Sequence, residues 1–311
     1  MRIVFMGTPK FAVPVLKELA REGHTIAAVY TRPDREAGRG RRPTGVAVKS
    51  LALELGFKLE QPLSLKNKEV QRQLVSYRAD VFVVAAYGLL LPPQILQIPI
   101  LGCINVHPSL LPRHRGPSPI AAAILAGDEF SGVSVMLLDV GMDTGLLLTR
   151  LQIPIADSDN TITLSDKLSV LAAQLLADLL AGGAGRWAIP QQQNETKASN
   201  SHLITKKDGR IVFGLPAVEI WRRVRAYQPW PGAWCHWRGK LLKIIEAVPL
   251  PAVEGIKVGE VVALDKERDA IVIGTGEGVL GVKRLQLEGK KEMTASDFIR
   301  GQRDFIETQL S

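Results

Sequence analysis

Val81-Phe82-Val83-Val84-Ala85-Ala86 is an unbroken apolar run with no polar residue to turn toward water. A strand that is wet on one face alternates apolar and polar residues. A run without alternation suits a strand covered on both faces, as in a parallel sheet flanked by helices. The flanking sequence reads the same way. Arg2–Met6 is a short strand followed by the turn Gly7-Thr8-Pro9. Apolar residues at 11, 12, 15, 16 and 19 give a helix over Phe11–Arg21 one buried face, and Gly23 ends it. Ile26–Tyr30, Cys103–His107 and Val133–Leu138 read as further strands, Val48–Leu55 and Leu164–Leu180 as helices. Strands alternating with helices predict an α/β fold built on a doubly wound, Rossmann-like parallel sheet.

The texture changes after Pro190. The stretch Pro190–Lys207 is polar and reads as a linker. Glu219–Arg225 suggests one helix. Trp234–Trp237, Leu241–Ala247, Gly259–Leu264, Ala270–Gly274 and Val279–Leu287 then read as short strands with Gly or charged turns between them, the pattern of a small OB-like β-barrel. The predicted division is therefore residues 1–189, a linker over 190–207, and 208–311. A length of 311 residues suits two domains.

Hydrophobic residues make up 46% of the chain and charged residues 23%, which excludes disorder of the whole chain. The net charge is +8, and it is concentrated. Residues 201–250 hold nine Lys/Arg against three Asp/Glu, and residues 31–50 hold six against two. Concentrated positive charge points to a polyanionic partner. Cys103 and Cys235 have neither disulfide-framework nor metal-ligand spacing. No apolar stretch is long enough to span a membrane, and the first residues make no signal peptide, so the expected location is the cytoplasm.

Side chains on a strand alternate faces, so Asn105 and His107 of Cys103-Ile104-Asn105-Val106-His107-Pro108 point the same way. Pro108 ends the strand. A polar pair at the end of a buried strand sits where α/β sheets bind ligands. The loop that follows, Ser109-Leu110-Leu111-Pro112-Arg113-His114-Arg115-Gly116-Pro117-Ser118-Pro119, is stiffened by prolines. Its Leu110-Leu111 pair is odd for a solvated loop and suggests a wall for an apolar ligand. Downstream, Asp139-Val140-Gly141-Met142-Asp143-Thr144-Gly145 follows a strand. On spacing alone Asp143 suits a turn-former as well as a charge beside His107. The first turn, Gly7-Thr8-Pro9-Lys10, lacks the GxGxxG of a dinucleotide site, which argues against a nicotinamide enzyme.

Asn105-x-His107, the Ser-Leu-Leu-Pro loop running into Arg115-Gly116-x-x-Pro119, and Gly-x-Asp143-Thr-Gly together, in this order, resemble the folate-dependent formyltransferases. The resemblance implies Asn105, His107 and Asp143 as catalytic triad. It implies 10-formyltetrahydrofolate as co-substrate, held by Ser109, Leu110, Leu111 and Pro112, with Tyr87 and Gly88 of the Ala85–Pro92 loop, and no metal. Within the family the resemblance is closest to the branch that acts on methionyl-tRNA. Met1–Pro9 is similar to its opening strand, Thr31–Arg35 with Ala37–Gly40 to its basic insertion, and Arg225–Ala233 to the entry of its second domain. That implies initiator methionyl-tRNA as acceptor and a monomer. It places Arg35, Arg39, Arg41, Arg42, Lys206 and Lys207 on the RNA. Enzymes of the family that formylate glycinamide ribonucleotide or amino sugars are the nearest alternatives, and the basic insertion and positive second domain argue against them. Where the family shows Tyr-Ala-x-Lys, this chain has Ala198-Ser199-Asn200-Ser201.

On this reading the acceptor's α-amine attacks the formyl carbon. Asn105 and a protonated His107 donate to the oxyanion, Asp143 favours the charged imidazole, and Asp143 relays the proton that the amine loses.

Overall fold

The computed structural model of the chain describes residues 1–37, 42–44, 46–182, 187 and 189–310, with backbone only for 35–37 and 42–44. The elements run in the order β1 (Arg2–Gly7), α1 (Ala12–Arg21), β2 (Thr25–Tyr30), β3 (Arg35–Ala37), β4 (Arg42–Thr44), α2 (Ala47–Glu54), β5 (Leu59–Glu60), α3 (Lys68–Ser76), β6 (Val81–Ala85), α4 (Pro93–Leu96), β7 (Cys103–His107), α5 (Pro119–Ala126), β8 (Phe130–Leu137), β9 (Leu147–Pro154) and α6 (Thr161–Ala181). Then follow α7 (Ala217–Ala226), β10 (Ala233–Trp237), β11 (Lys240–Leu250), β12 (Val261–Asp265), β13 (Ala270–Gly274), β14 (Val279–Leu287), β15 (Met293–Thr294) and α8 (Ala295–Gly301). The chain forms two compact units. One comprises Met1–Pro119, Phe130–Pro154 and Ser165–Ser201, the other Ile120–Glu129, Ile155–Leu164 and His202–Ser311.

The first unit is a seven-stranded sheet in the order β5-β2-β1-β6-β7-β8-β9. Pairs from β5 to β7 are parallel, and β8 and β9 add antiparallel. The reason for the unbroken apolar runs is visible here. Val4, Met6, Phe82 and Val84 pack on one face with Leu74 of α3 and Ile95 of α4. Their neighbours Ile3, Phe5, Val81 and Val83 are equally buried and point to the opposite face. The β9 edge, which alternation did not single out, is exposed along much of its length, and its sequence mixes Thr, Arg and Gln with leucines.

The second unit holds an antiparallel six-stranded sheet, β10-β11-β14-β13-β12 with β15 beside β14. Register shifts near Ile244 and Glu246 interrupt the β11–β14 ladder. Its core gathers Ile220 and Val224 from α7, Leu242, Ile244, Leu280 and Val282 from the sheet, and Phe298 from α8. Trp237, Phe298 and Phe305 meet edge to face, with centroids 6.1, 5.1 and 5.0 Å apart. Such pairs add to the area they bury. Phe298→Ala removes one ring of this trio and should cost about 3–5 kcal/mol. Denaturant unfolding of the full chain measures it, and a loss under about 1 kcal/mol would remove the trio from the list of core determinants.

Candidate active site

The sheet reverses its winding at β1, which has β2 on one side and β6 on the other. The crevice beyond the carboxyl ends of such strands is where open α/β sheets hold ligands. The turns that leave β1 and β6 are tied together there. Thr8 Oγ1 donates to the Tyr87 carbonyl at 2.8 Å and accepts from the Arg32 amide at 3.2 Å. Beside β6 lies β7, whose Val84↔Asn105 register carries the polar pair to the same end.

Asn105 and His107 share a face, as alternation requires, and both are buried, at 9% and 5% exposure. Asp143 arrives from the turn between β8 and β9. That turn is built by its own sequence. Asp139 Oδ1 accepts from the Gly141 amide at 2.9 Å and from Thr144 Oγ1 at 2.8 Å, an Asx arrangement. A Cβ at Gly145 would lie 1.7 Å from the Leu137 carbonyl oxygen, so only glycine lets the turn close onto β8. Asp143 itself has φ +56°, a left-handed conformation that Asp tolerates better than most residues. The turn places its carboxylate against the loop after β7. Oδ2 accepts from the Gly116 amide at 2.7 Å and lies 3.6 Å from His107 Nδ1, and Oδ1 is 3.5 Å from Asn105 Nδ2. Both readings of Asp143 therefore apply: it forms the turn and it faces His107.

His107 Nε2 lies 3.1 Å from the His114 carbonyl. A carbonyl only accepts, so Nε2 carries a hydrogen, and in the neutral ring Nδ1 is bare and turned to Asp143. Burial pushes the imidazole below its ordinary value, and this outweighs the opposing pull of Asp143. Burial and the carboxylate thus act on the ring in opposite directions. Nearness to a carboxylate was legible in the sequence, and the depth of burial was not.

The loop after β7 is largely consumed by its own bonding. Ser109 Oγ donates to the Arg113 carbonyl at 2.7 Å, and Ser134 Oγ donates to the Ser109 carbonyl at 2.7 Å. The Leu111 amide donates to Ser134 Oγ at 3.1 Å, and Arg150 reaches the Leu111 carbonyl at 3.1 Å. Leu111 has no exposed surface, and Pro112 is buried. Of the expected leucine wall only Leu110 has surface to offer. Tyr87 is likewise buried, its hydroxyl without a partner among the described residues, while Gly88 stays exposed with its carbonyl taken by Arg32. Sequence reasoning missed two apolar neighbours of Asp143. Val140 is 81% exposed and Met142 57%. The oddity that flagged Leu110, an apolar side chain in a polar loop, would have flagged them.

It also missed the stretch 190–201, which packs along the first unit instead of hanging between domains. Arg115 pairs with Asn200 through the residues on either side of it: the Arg115 amide donates to the Ser199 carbonyl at 2.9 Å, and the Ser201 amide to the Arg115 carbonyl at 2.7 Å. Ser199 Oγ accepts from the His114 amide at 2.9 Å, and Ser201 Oγ from the Ser118 amide at 3.0 Å. Gln193 donates to the carbonyls of Asp143 and Gly145, both at 2.8 Å. A run of polar residues gave no hint of which would be buried.

Among the basic residues, Arg35 and Arg42 fall on the two-stranded ribbon β3–β4, and Arg39 and Arg41 lie outside the described residues. Lys206 and Lys207 are exposed on one 3₁₀ turn of the second unit. Arg225 belongs to no free patch. Its guanidinium donates to the carbonyls of Asp159 and Ala156 at 2.6 and 2.7 Å and lies 4.3 Å over the Trp221 ring. Among the described residues no helix is long and apolar enough to cross a membrane.

Residues 1–180 match the family described as formyl transferase, and residues 203–303 match the formyl transferase C-terminal domain. The chain is 48% identical over 305 residues to a methionyl-tRNA formyltransferase of Dehalococcoides mccartyi, covering 98% of this chain and 97% of that one. A second protein of that name from another strain is 47% identical over the same length. Among solved structures, an N-formyltransferase from Helicobacter canadensis, in complex with folinic acid and dTDP-3-aminofucose, superposes with a TM-score of 0.67 at 16% identity, over 90% of this chain and 97% of that one. HypX from Aquifex aeolicus, in complex with tetrahydrofolic acid, superposes with a TM-score of 0.63 at 18% identity, over 96% of this chain and 47% of HypX. This chain thus spans about half the length of HypX, and at such identities the likeness is one of fold. With both domains matched and near-half identity along almost its whole length, the chain belongs to the formyl transferase family.

Proposed function

We propose that this protein transfers the formyl group of 10-formyltetrahydrofolate to the α-amine of methionyl-tRNA, in the cytoplasm, with residues 1–189 as catalytic domain and 208–311 contributing RNA contacts. The observation that carries the reaction is the convergence of Asn105, His107 and Asp143, with Asp143 Oδ2 3.6 Å from His107 Nδ1. The residues fit a folate donor. Val140 and Met142 offer exposed apolar surface in the turn that carries Asp143, Leu110 offers some in the loop after β7, and Gly88 is exposed in the turn after β6. The acceptor rests on the curated relatives and on positive charge at Lys206 and Lys207 and in the 35–42 segment.

In the chemistry proposed, Asn105 Nδ2 donates to the oxygen that becomes negative when the amine adds to the formyl carbon. Asp143 takes the proton the amine must lose and passes it to the bare Nδ1 of His107. The imidazole, neutral at rest, becomes charged as the oxyanion forms beside it. The same proton then goes to the folate nitrogen as the carbon–nitrogen bond to the donor breaks. Products are a formamide and a folate bearing N–H, so atoms and protons balance.

The direct test of the function offers the purified protein 10-formyltetrahydrofolate with initiator methionyl-tRNA, elongator methionyl-tRNA, free methionine and glycinamide ribonucleotide in parallel. Formyl-methionine confined to the initiator is expected. Formylation of a small amine in preference to tRNA would overturn the acceptor assignment. Asn105→Ala should lower kcat by about 10²–10³-fold with donor affinity little changed; near-normal turnover would take Asn105 out of the mechanism. Burial makes the folded protein bind the His107 proton less readily than the unfolded chain, so this group's contribution to stability is lost as pH falls below its ordinary value of 6.5. NMR titration of histidine-labelled protein should place the His107 midpoint below 6.5, and lower still in Asp143→Asn, where the carboxylate's pull is gone. A midpoint above 6.5 in the wild type would contradict a neutral resting ring.

A further inference from the structure

The geometry points to Gln193 as a positioning residue for formyl transfer: its amide ties the turn that carries Asp143 to the loop that carries His114 and Gly116. Gln193 touches none of the proposed reacting atoms, so it acts through Asp143, and the inference rests on the function proposed above. Its side chain is buried, at 4% exposure, and all its bonding capacity is used. Nε2 donates to the Asp143 and Gly145 carbonyls, both at 2.8 Å. Oε1 accepts from Arg115 Nε at 3.1 Å and Nη2 at 2.9 Å. Carbonyls only accept and guanidinium only donates, so the amide has one possible orientation.

The other half of the tie is Arg115, buried at 5% exposure. A buried cation requires partners. Glu195 supplies a two-pronged one, at 2.9 and 2.7 Å, and holds the guanidinium charged. Glu195, Arg115, Gln193 and the Asp143 turn thus form one continuous chain of hydrogen bonds. Its effect is local. Asp143 and Gly116 sit on two irregular segments, and no strand pairing fixes the distance between them. The 2.7 Å bond from the Gly116 amide to Asp143 Oδ2 exists because both segments are pulled onto the same glutamine. A side chain that kept only the Arg115 end would leave the Asp143 turn facing two carbonyls without a donor.

Gln193→Glu does this. It keeps the shape and the acceptor for Arg115 and sets carboxylate oxygen against both carbonyls. In the full chain, kcat should fall by about 10–100-fold with KM for the folate donor nearly unchanged, as expected for a displaced catalytic group. The same substitution in an Asp143→Asn background should cost almost nothing further, because the group it positions is already disabled. A spectroscopic readout separates this from the function itself. The Gly116 amide proton should resonate downfield in the wild type and move upfield in Gln193→Glu, whatever acceptor the enzyme uses. An unmoved Gly116 resonance, or a kcat loss repeated in full in the Asp143→Asn background, would overturn the inference. Absence of transfer to methionyl-tRNA in the wild type would instead strike the proposed function. Should Gln193→Glu fail to fold, Glu195→Gln, altering a side chain that is 67% exposed, keeps the test open. It should shift the Gly116 resonance the same way by less, and no shift would count against the tie.

Discussion

Asp143 Oδ2 accepts from the Gly116 amide while standing 3.6 Å from the buried His107 Nδ1. The Asp143 side chain keeps only 14% of its surface exposed, so donors replace much of the water that would solvate its charge. Much of the first unit can be understood as supplying those donors. The β7 strand brings Asn105 and His107 to one face, the loop after it turns Gly116 inward, and the β8–β9 turn delivers the acid. Ala86, His114 and Asp143, all with positive φ, lie at or beside these strand ends. Left-handed conformations at non-glycine residues persist where surrounding contacts hold them.

The same burial sets the electrostatics. Water that would solvate an imidazolium is largely excluded, which opposes the charge that the nearby acid favours. In the mechanism proposed, a ring neutral at rest takes up the amine's proton, and the oxyanion formed during transfer favours the charged imidazole. A permanently charged histidine would stabilise the oxyanion but have no room for the proton that the amine sheds.

The strands of the first sheet were legible because burial on both faces leaves a signature that needs no tertiary knowledge: Val81–Ala85 has no polar residue at any position. The pairing of Asn105 with His107 followed from strand periodicity. Edge strand β9 and helix α3, over Lys68–Ser76, escaped because their exposed faces dilute the pattern. The site was legible as far as spacing fixes it. The burial of Leu111, the depth of His107 and the place of Gln193 depend on which side chains meet after folding. Gln193 stands in Gln191-Gln192-Gln193, where composition alone makes the three equivalent. Only the third is buried: Gln191 bridges to Leu147 of β9, and two residues on Gln193 meets the Asp143 turn and Arg115.

In the mechanism proposed, Asp143 and His107 act as one proton-handling unit. Single-turnover formyl transfer measured for His107→Asn, Asp143→Asn and the double variant tests it most directly. Residues that work as a unit are non-additive, so the double variant should be scarcely slower than the worse of the two single ones. If the two losses multiply in full, the residues contribute independently, and a relay between them is contradicted.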